Sequence, residues 1–426
     1  MILGGKRMDK IIVQGGYPLY GEVSINGSKN ASLAVLVGAA LGDEPCRIDN
    51  VPRYTDIFDI IDILKDLGAQ AEWAGPDSLV IDGSTLDKSV APYELVRKLR
   101  GSFYVAGLLL AKLGYCEVPL PGGDPFSSRP VNFHLKGFEA LGAEVTVEHG
   151  YVKAKANNLV GTTIYVGRSS VGATVNLMLV ATKAHGTTTL ENAAREPEIV
   201  NLALQLNAMG AKIRGAGTNI ITIEGVDKLK TSRHEIIPDR LEAGTFLLAT
   251  AMAGGEVVLN DVVPEHLNSL LSKLRETGVE VKDHGGILVV NAPVGKRPTA
   301  TDIETTPYPG FATDYQSMFA SYMTKAVGVS IVKETIFDRF AYVDELARMG
   351  AEIKVEGDTA IIRGVERLTG APVEVKDIRG GAALVIAGLA AEGKTIIDGV
   401  YHLDRGYEQL EEKLATLGAN IQRVVE

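Results

Sequence analysis

The chain has 426 residues, 46% of them hydrophobic and 23% charged, and its formal net charge is −10. This length exceeds what one hydrophobic core normally supports, so two globular halves are expected. The acidic balance and the lack of a basic run argue against nucleic-acid or membrane-surface binding, and neither a membrane-length apolar segment nor a signal-peptide pattern occurs.

Two kinds of predicted helix alternate along the chain, and each ends near a glycine that precedes a short strand. The first kind is apolar nearly all round, which is typical of a helix buried on every side. In chain order these runs are ASLAVLVGAAL, GSFYVAGLLLAKL, GATVNLMLVATKA, AGTFLLATAMA, DYQSMFASYMTKA and GGAALVIAGLAA, before Gly42, Gly114, Gly186, Gly254, Gly328 and Gly393. The second kind is amphipathic and ends at Gly68, Gly142, Gly210, Gly278, Gly350 and Gly418.

Both sets of glycines recur at intervals of about 70 residues, which indicates one supersecondary unit used six times. Short strands such as EVVLNDVV and TIIDGVY separate the helices. The sequence therefore predicts an α/β fold with a sixfold internal repeat of βαβαββ units, three in each half. The alternative is an ordinary doubly wound α/β protein in which the spacing is a coincidence.

Cysteine and histidine are sparse. The two cysteines, Cys46 and Cys116, lie in strand-like segments and are predicted to be buried structural residues of a protein in the reducing cytoplasm. The seven histidines show neither an HExxH motif nor paired ligand spacing. We therefore expect no metal site and no cofactor.

Polar residues concentrate just before the apolar helices. Lys29 and Asn30 follow a turn at the entrance of the first one, where free amide groups and the positive end of a helix favour anions. The alternative for Lys29 is a solvated capping turn. The third apolar helix follows Arg168 and the small-residue turn Ser169, Ser170, Val171 and Gly172, which can direct several amides at a phosphate, although it is not a P-loop.

Charged residues occupy the equivalent position, just before the apolar helix, in the other units. They are Arg100, Asp239, Arg240, Asp314, Asp377 and Arg379. Because repeated units present their loops at equivalent positions, we expect a cleft between the two halves to collect these side chains.

The loop 119–130 is rich in proline and glycine, which excludes a regular helix or a central strand. Such loops often act as mobile lids over a site. It contains Asp124 and Arg129, for which the alternatives are a turn-forming residue and a surface charge.

Together these motifs resemble the UDP-N-acetylglucosamine 1-carboxyvinyltransferase family of enolpyruvyl transferases, from Met8 onward. The matching segments are GSKNASL, VRKLRGS, VPLPGGDPFSSRPVNFHL, SSVGATVNLM, ENAAREPEIVNLA, IPDRLEAGTF, YPGFATDYQ, FDRF and YHLDRGYEQLEEKLATLGA. The related shikimate-pathway enolpyruvyl transferase shares the architecture but differs in its acceptor-site motifs.

The resemblance implies an inside-out α/β barrel of two domains, each with three repeats. It assigns residues 29–236, with the mobile loop 119–130, to one domain, and residues 1–28 plus 237–426 to the other. The active site is expected in the cleft between the domains.

The implied reaction transfers the enolpyruvyl group of phosphoenolpyruvate to the 3′-hydroxyl of UDP-N-acetylglucosamine, an early step of peptidoglycan synthesis. Addition gives a tetrahedral ketal, and elimination releases phosphate. The addition needs a general acid, a general base and cations that hold the anionic donor.

Individual roles follow from the matching positions. Lys29, Arg129 and Arg405 match the cations that bind phosphoenolpyruvate, with Arg100 and Arg379 nearby. Asn30 matches a sugar contact, Asp314 the carboxylate assigned to the 3′-hydroxyl, and Ile336 a substrate-binding position. Arg168, residues 169–172 and His134 correspond to the uridine diphosphate subsite. Further matches near the cleft are Glu196, Asp239, Arg240, Arg339 and Asp377. The implied catalytic set is Lys29, Asp124, Asp314 and Arg405.

Three positions depart from the usual family pattern. Asp124 stands where most members have a cysteine, although a minority carry aspartate. We expect Asp124 to act as the general acid with a raised pKa, and the enzyme to resist fosfomycin, which alkylates that cysteine. Arg168 replaces a usual lysine, and the segment around FDRF is one residue shorter.

Two other functions remain open from the sequence. One is a diverged enolpyruvyl transferase that acts on another uridine nucleotide, which the altered lid loop favours. The other is a nucleotide-sugar sensor without turnover, against which the joint presence of Lys29, Asp314 and Arg405 argues. The sequence leaves the oligomeric state open.

Overall fold

The computed structural model describes residues 9–123 and 130–425, which divide into two compact units. The N-terminal unit comprises residues 27–123 and 130–237, and the C-terminal unit comprises residues 9–26 and 238–425. The chain therefore passes between the units after Asn26 and again before Pro238.

Six buried helices, which we call the inner helices, form the core of the two units. Their apolar runs leave no polar face, and every residue of the first inner helix except Asn30 is buried. Full burial of one Leu or Ile side chain contributes about 1.5–3 kcal/mol, so these helices carry much of the folding free energy. The inner helices are Lys29–Ala40, Tyr104–Leu113 and Val171–Lys183 in the N-terminal unit, and Arg240–Ala253, Thr313–Met323 and Ile378–Ala390 in the C-terminal unit.

Six amphipathic helices, which we call the outer helices, alternate with the inner ones, as the sequence predicts. They are Thr55–Asp66, Asn132–Ala140, Pro197–Ala208, Asn268–Glu276, Val343–Arg348 and Leu410–Thr416. Within residues 9–123 and 130–425, four short helical turns add to them: Tyr93–Val96, Arg100–Phe103, Pro264–Leu267 and Tyr401–Asp404. The glycine after each outer helix has a positive φ between 88° and 105°, which confirms the predicted left-handed helix stop.

The N-terminal unit has three sheets with one strand order. In the second and third, the segment before an inner helix pairs in parallel with the strand after that helix. In the first, the parallel partner of Cys46–Asp49 is Arg233–Glu235 from the end of the unit. In all three, an antiparallel hairpin lies beside the strand that follows the inner helix. In the middle sheet a single bridge from Val90 to Glu117 replaces the first strand. The strands, in sheet order, are Arg233–Glu235, Cys46–Asp49, Leu79–Asp82, Gln70–Trp73; Tyr115–Pro119, Tyr151–Lys155, Glu144–Glu148; and Thr163–Tyr165, Thr187–Glu191, Ile220–Glu224, Lys212–Arg214.

The C-terminal unit repeats this order in three four-stranded sheets. Strand Lys10–Gln14 fills the hairpin position in the third sheet, antiparallel to both of its neighbours. A short parallel pair, Leu368–Thr369 with Ala391–Glu392, lies apart from these sheets. The strands are Leu19–Ser24, Gly255–Asn260, Leu288–Ala292, Glu280–Asp283; Ile303–Glu304, Val329–Lys333, Thr359–Arg363, Glu352–Glu356; and Pro372–Glu374, Lys394–Asp398, Lys10–Gln14, Asn420–Val424.

Each unit is thus an inside-out α/β barrel, with its inner helices in the core and its sheets outside them. The two cysteines are free and buried in strands, as predicted, and burial raises the pKa of Cys116 to about 12. None of the helices in the described part of the chain combines the length and apolarity needed to cross a membrane.

Gly27 begins the N-terminal unit at a point where no side chain fits. A Cβ atom there would lie 1.8 Å from the carbonyl oxygen of Asn50. Next to it, the amide of Ser28 donates to the carbonyl of Ile237 at 2.8 Å, so the two segments that connect the units are hydrogen-bonded within this unit. The position therefore requires glycine.

Candidate active site

Asp124 and Arg129 lie outside the described residues, so their roles stay predictions. The other predicted site residues fall into two groups. The N-terminal unit carries Lys29, Asn30, Arg100, His134 and residues 168–172, and the C-terminal unit carries Asp314, Ile336, Arg379 and Arg405.

Lys29 is a buried cation, not a solvated capping residue. It opens the first inner helix, where Ser28 is the N-cap and its Oγ accepts from the amide of Ala31 at 3.3 Å. Lys29 is 8% exposed, and its Nζ lies 3.2 Å from Oδ2 of Asp56, which is also buried. Asp56 therefore holds the ammonium at the positive end of a helix, a location that favours anions.

Asn30 and Arg100 are half-buried at the entrances of the first two inner helices. Arg100 begins the helical turn Arg100–Phe103. Burial and, second, the nearby charge of Arg100 lower the pKa of His134 to about 3. His134 is therefore neutral at physiological pH.

The tautomer of His134 follows from the hydrogen bonds of Asn176. Oδ1 of Asn176 accepts from the amide of Gly107 at 2.7 Å, and Nδ2 donates to the carbonyl of Phe103 at 3.1 Å. These obligate partners fix the orientation of the amide, so Nδ2 also donates to Nδ1 of His134 at 2.8 Å. The proton of the neutral ring is thus on Nε2.

This Nε2–H group lies beside the turn before the third inner helix. A Cβ built on Gly172 would be 3.3 Å from Nε2 of His134, so the turn and the ring are in close contact. Ser170 is the N-cap of the helix, residues 169–172 are half-buried, and Arg168 is exposed. The structure therefore brings together the residues that were predicted to form the uridine diphosphate subsite. They form a helix N-terminus beside one neutral hydrogen-bond donor in a fixed position.

In the C-terminal unit, Asp314 lies between two arginines. Its Oδ1 is 3.0 Å from Nη1 of Arg339 and 3.4 Å from Nε of Arg379, and both guanidinium groups are buried. Burial alone would raise the pKa of Asp314, but the two arginines outweigh it and hold the pKa well below its usual range. With 27% of its side chain exposed, Asp314 is an accessible, fully ionised carboxylate.

Arg379 is fixed from a second side by Tyr407. The Tyr407 hydroxyl accepts from Nη1 of Arg379 at 2.8 Å and lies 2.8 Å from Oγ1 of Thr245. The guanidinium carbon is also 5.3 Å from the centre of the Tyr407 ring, within cation–π range. Arg379 therefore presents its charge in one orientation.

The remaining predicted residues lie at element ends. Ile336 is half-buried in the turn after strand Val329–Lys333, and Arg405 follows the short helix Tyr401–Asp404. Asp404 forms a bidentate ion pair with Arg423 of the last strand, and this pair anchors the segment that carries Arg405.

Asp377 and Asp239 are helix N-caps. Oδ1 of Asp377 accepts from the amides of Arg379 and Gly380 at 3.0 Å each, and Asp239 caps the inner helix that begins at Arg240. Glu196 occupies the N-cap position of the outer helix Pro197–Ala208 without a side-chain cap bond. The capping aspartates therefore shape the helix entrances.

Sequence reasoning missed the partners that orient these groups: Asp56, Asn176 and Tyr407. A polar residue inside an otherwise apolar run was an available signal for Asn176 in VGATVNLMLVATK. Nothing in the local pattern marks the other two. Among residues 9–123 and 130–425, no group of three or more His, Cys, Asp or Glu side chains is arranged to hold a metal ion.

Known proteins match almost the whole chain. The family model for EPSP synthase (3-phosphoshikimate 1-carboxyvinyltransferase) matches residues 13–414. A UDP-N-acetylglucosamine 1-carboxyvinyltransferase 2 of Symbiobacterium thermophilum is 55% identical over 97% of this chain and 98% of the relative. The chain belongs to the UDP-N-acetylglucosamine 1-carboxyvinyltransferase family. A second member, from Halothermothrix orenii, is 49% identical over 98% of this chain and all of the relative.

Solved structures of enolpyruvyl transferases share the fold of this chain. The enolpyruvyl transferase NikO from Streptomyces tendae superposes with a TM-score of 0.88 at 25% identity, over 99% of this chain and 100% of that chain. EPSP synthase from Acinetobacter baumannii has a TM-score of 0.76 at 19% identity, over 98% and 100% of the two chains. The predicted two-domain inside-out α/β barrel is thereby confirmed.

Proposed function

We propose that the chain transfers the enolpyruvyl group of phosphoenolpyruvate to the 3′-hydroxyl of UDP-N-acetylglucosamine. In the addition, the sugar oxygen bonds to C2 of phosphoenolpyruvate, C3 gains a proton and the hydroxyl loses one. In the elimination, the bond from C2 to the phosphate oxygen breaks and C3 loses a proton. The products are enolpyruvyl-UDP-N-acetylglucosamine and inorganic phosphate.

The observation that carries this proposal is the ionised Asp314 between Arg339 and Arg379 in a chain so similar to named 1-carboxyvinyltransferases. An exposed carboxylate oxygen accepts the hydrogen bond of a sugar hydroxyl, while the arginines supply positive charge for an anionic donor. Their charge also keeps Asp314 ionised at physiological pH, so that its carboxylate can accept the hydrogen bond of the 3′-hydroxyl and orient that group as the C–O bond forms.

The N-terminal unit supports nucleotide and donor binding in this scheme. The Nε2–H of His134 and the amides of residues 169–172 are suited to diphosphate oxygens, because they are donors held in fixed positions. Lys29, oriented by Asp56, is a cation for the phosphate or carboxylate of phosphoenolpyruvate. Arg405, Arg129 and Arg100 are assigned to the same donor.

Asp124 is the proposed proton donor to C3 of phosphoenolpyruvate. A carboxylic acid can do this if the surroundings raise its pKa, as burial or a neighbouring anion does. We also propose that the enzyme is insensitive to fosfomycin, because a carboxylate is a poorer nucleophile than a thiolate toward an epoxide. Incubation with fosfomycin should leave residue 124 unlabelled, whereas Asp124→Cys should become labelled and inhibited. Labelling of the native chain with loss of activity would contradict this.

The proposed product belongs to the start of peptidoglycan synthesis, and we assign the reaction to the cytoplasm. The two free, buried thiols are consistent with a reducing compartment. Links to cell-wall biogenesis, cell shape and cell division follow from this assignment.

The test is phosphate release from phosphoenolpyruvate with either UDP-N-acetylglucosamine or UMP as acceptor. The proposal expects release with the sugar nucleotide and little with UMP. The reverse preference would favour the alternative of an enolpyruvyl transferase that acts on another uridine nucleotide. Thermal stabilisation by the sugar nucleotide without phosphate release would instead indicate a sensor.

A further inference from the structure

Glu334 is a buried carboxylate in the C-terminal unit that none of the predicted roles includes. It follows strand Val329–Lys333 and is 3% exposed. Its hydrogen bonds come only from hydroxyl and backbone N–H groups within the described part of the chain, without a lysine or arginine partner. A buried charge held in this way is costly to keep, so its contacts are informative.

Four donors from three segments converge on the carboxylate. Oε1 accepts from the amide of Ile336 at 2.8 Å, the amide of Phe337 at 3.0 Å and the hydroxyl of Thr305 at 2.9 Å. Oε2 accepts from the hydroxyl of Thr313 at 2.8 Å. Glu334 therefore joins the turn that carries Ile336 to the start of the inner helix Thr313–Met323.

Arg339, at the other end of the same turn, also contacts the start of this inner helix. Its Nη1 donates to the carbonyl of Thr313 at 3.2 Å and to Oδ1 of Asp314 at 3.0 Å. Asp314 is the residue directly after Thr313, so the helix start that Glu334 joins to the Ile336 turn also carries the carboxylate that Arg339 contacts.

We propose that Glu334 is a positioning residue for the acceptor end of the site. This inference rests on the proposed function, in which Asp314 and Ile336 contact the sugar nucleotide. Glu334 acts through hydrogen-bond geometry: it fixes the two acceptor-contacting segments against each other and touches no substrate itself. Its loss should therefore weaken acceptor binding much more than donor binding.

Substitutions of Glu334 and Thr313 should remove different numbers of these hydrogen bonds. In Glu334→Gln the amide oxygen can keep the three donors at the Oε1 position, and the new NH₂ can donate to the Thr313 hydroxyl, which also serves as an acceptor. In Glu334→Ala all four donors lose their partner. Thr313→Val is nearly isosteric and removes only the bond between the carboxylate and the helix.

The experiment measures kcat and the KM of each substrate for these variants by phosphate release. We expect Glu334→Ala to raise the KM of UDP-N-acetylglucosamine about tenfold or more, as the loss of one or two good hydrogen bonds does, with the KM of phosphoenolpyruvate nearly unchanged. Glu334→Gln should stay close to the native chain. Thr313→Val, which should fold even if Glu334→Ala does not, should raise the acceptor KM by about threefold.

Glu345 provides a matched control in the same unit. It is 4% exposed, accepts from the amide of Glu374 at 3.1 Å and lies 3.3 Å from Arg348 and 3.5 Å from Lys376. Glu345→Gln also removes a buried charge but should leave both KM values unchanged.

The outcomes separate the inference from the function on which it rests. Absence of turnover by the native chain overturns the proposed function and this inference with it. Native turnover with an unchanged acceptor KM in Thr313→Val and Glu334→Ala overturns the positioning role alone. Equal impairment of Glu334→Gln and Glu334→Ala also overturns it, because charge and not hydrogen-bond geometry would then be responsible.

Discussion

Asn176→Ala should destabilise the N-terminal unit and weaken nucleotide binding together. The Asn176 side chain is fully buried and makes three hydrogen bonds, to Gly107, Phe103 and His134, at 2.7, 3.1 and 2.8 Å. Two of them replace the bond that an α-helix would form between the carbonyl of Phe103 and the amide four residues later. The side chain is therefore inserted into the first turn of the neighbouring inner helix.

The size of the effect follows from these contacts. A hydrogen bond contributes about 0.5–1.5 kcal/mol net, so three lost bonds cost about 3 kcal/mol. The cavity left by the shortened side chain adds to this cost, and direct pairing of Phe103 with Gly107 in the variant recovers part of it. We expect a net loss of about 3 kcal/mol, with a clear fall in Tm.

The functional part of the prediction concerns His134. Without Asn176 the ring loses the partner that keeps its proton on Nε2, so the donor beside Gly172 is no longer fixed. The KM of UDP-N-acetylglucosamine should rise about three- to tenfold, which corresponds to one weakened hydrogen bond. The KM of phosphoenolpyruvate should change much less.

Calorimetry and steady-state phosphate release test both parts, with Asn207→Ala as the control. Asn207 lies near the end of an outer helix and bonds the amide and carbonyl of Ile213 at 2.8 and 2.9 Å. Its loss should lower stability without altering acceptor KM. The reasoning is refuted if Asn176→Ala keeps native stability, or if both variants raise the acceptor KM equally.

Three further predictions concern other positions. Asp124→Asn should lower kcat by about 100-fold or more in the phosphate assay while acceptor binding by calorimetry persists, and near-native turnover would exclude Asp124 as the acid. The pKa of folded Asp314 lies below its unfolded value, so its stabilisation is complete above about pH 4 and lost as the pH falls. Chemical denaturation should accordingly show Asp314→Asn less stable than the native chain at pH 7, with the gap closing in acid; a constant gap would contradict this. Gly27→Ala should cost about 2 kcal/mol or more, because its Cβ would overlap a carbonyl oxygen, and an unchanged Tm would disprove that close approach.

The sequence predicts the repeat, the two helix types and the helix entrances, because these depend on local periodicity and on glycine. Lys29 and Asp314 were predicted at those entrances, and the structure gives each a charged partner. The partners of Asp314, Arg339 and Arg379, were also among the residues predicted near the cleft. Asp56 beside Lys29, Tyr407 beside Arg379 and Glu334 beside Thr313 were not predictable from local pattern, because they come from other elements and look like ordinary surface or core residues in the sequence.

The fixed tautomer of His134 could not be predicted from sequence either. It depends on a hydrogen bond from Asn176, 42 residues away, and on two backbone groups of a neighbouring helix. Only the packed inner helices bring these atoms together. Contacts of this kind between helices orient the site residues, and the resemblance to a family did not predict them.

The most direct test of the account is the identity of the product formed from phosphoenolpyruvate and UDP-N-acetylglucosamine. Mass spectrometry should detect the acceptor with one added enolpyruvyl group, formed in equal amount to the phosphate released and lost in Asp314→Asn. Phosphate release without that product, or formation of the product by Asp314→Asn at the native rate, would contradict the account.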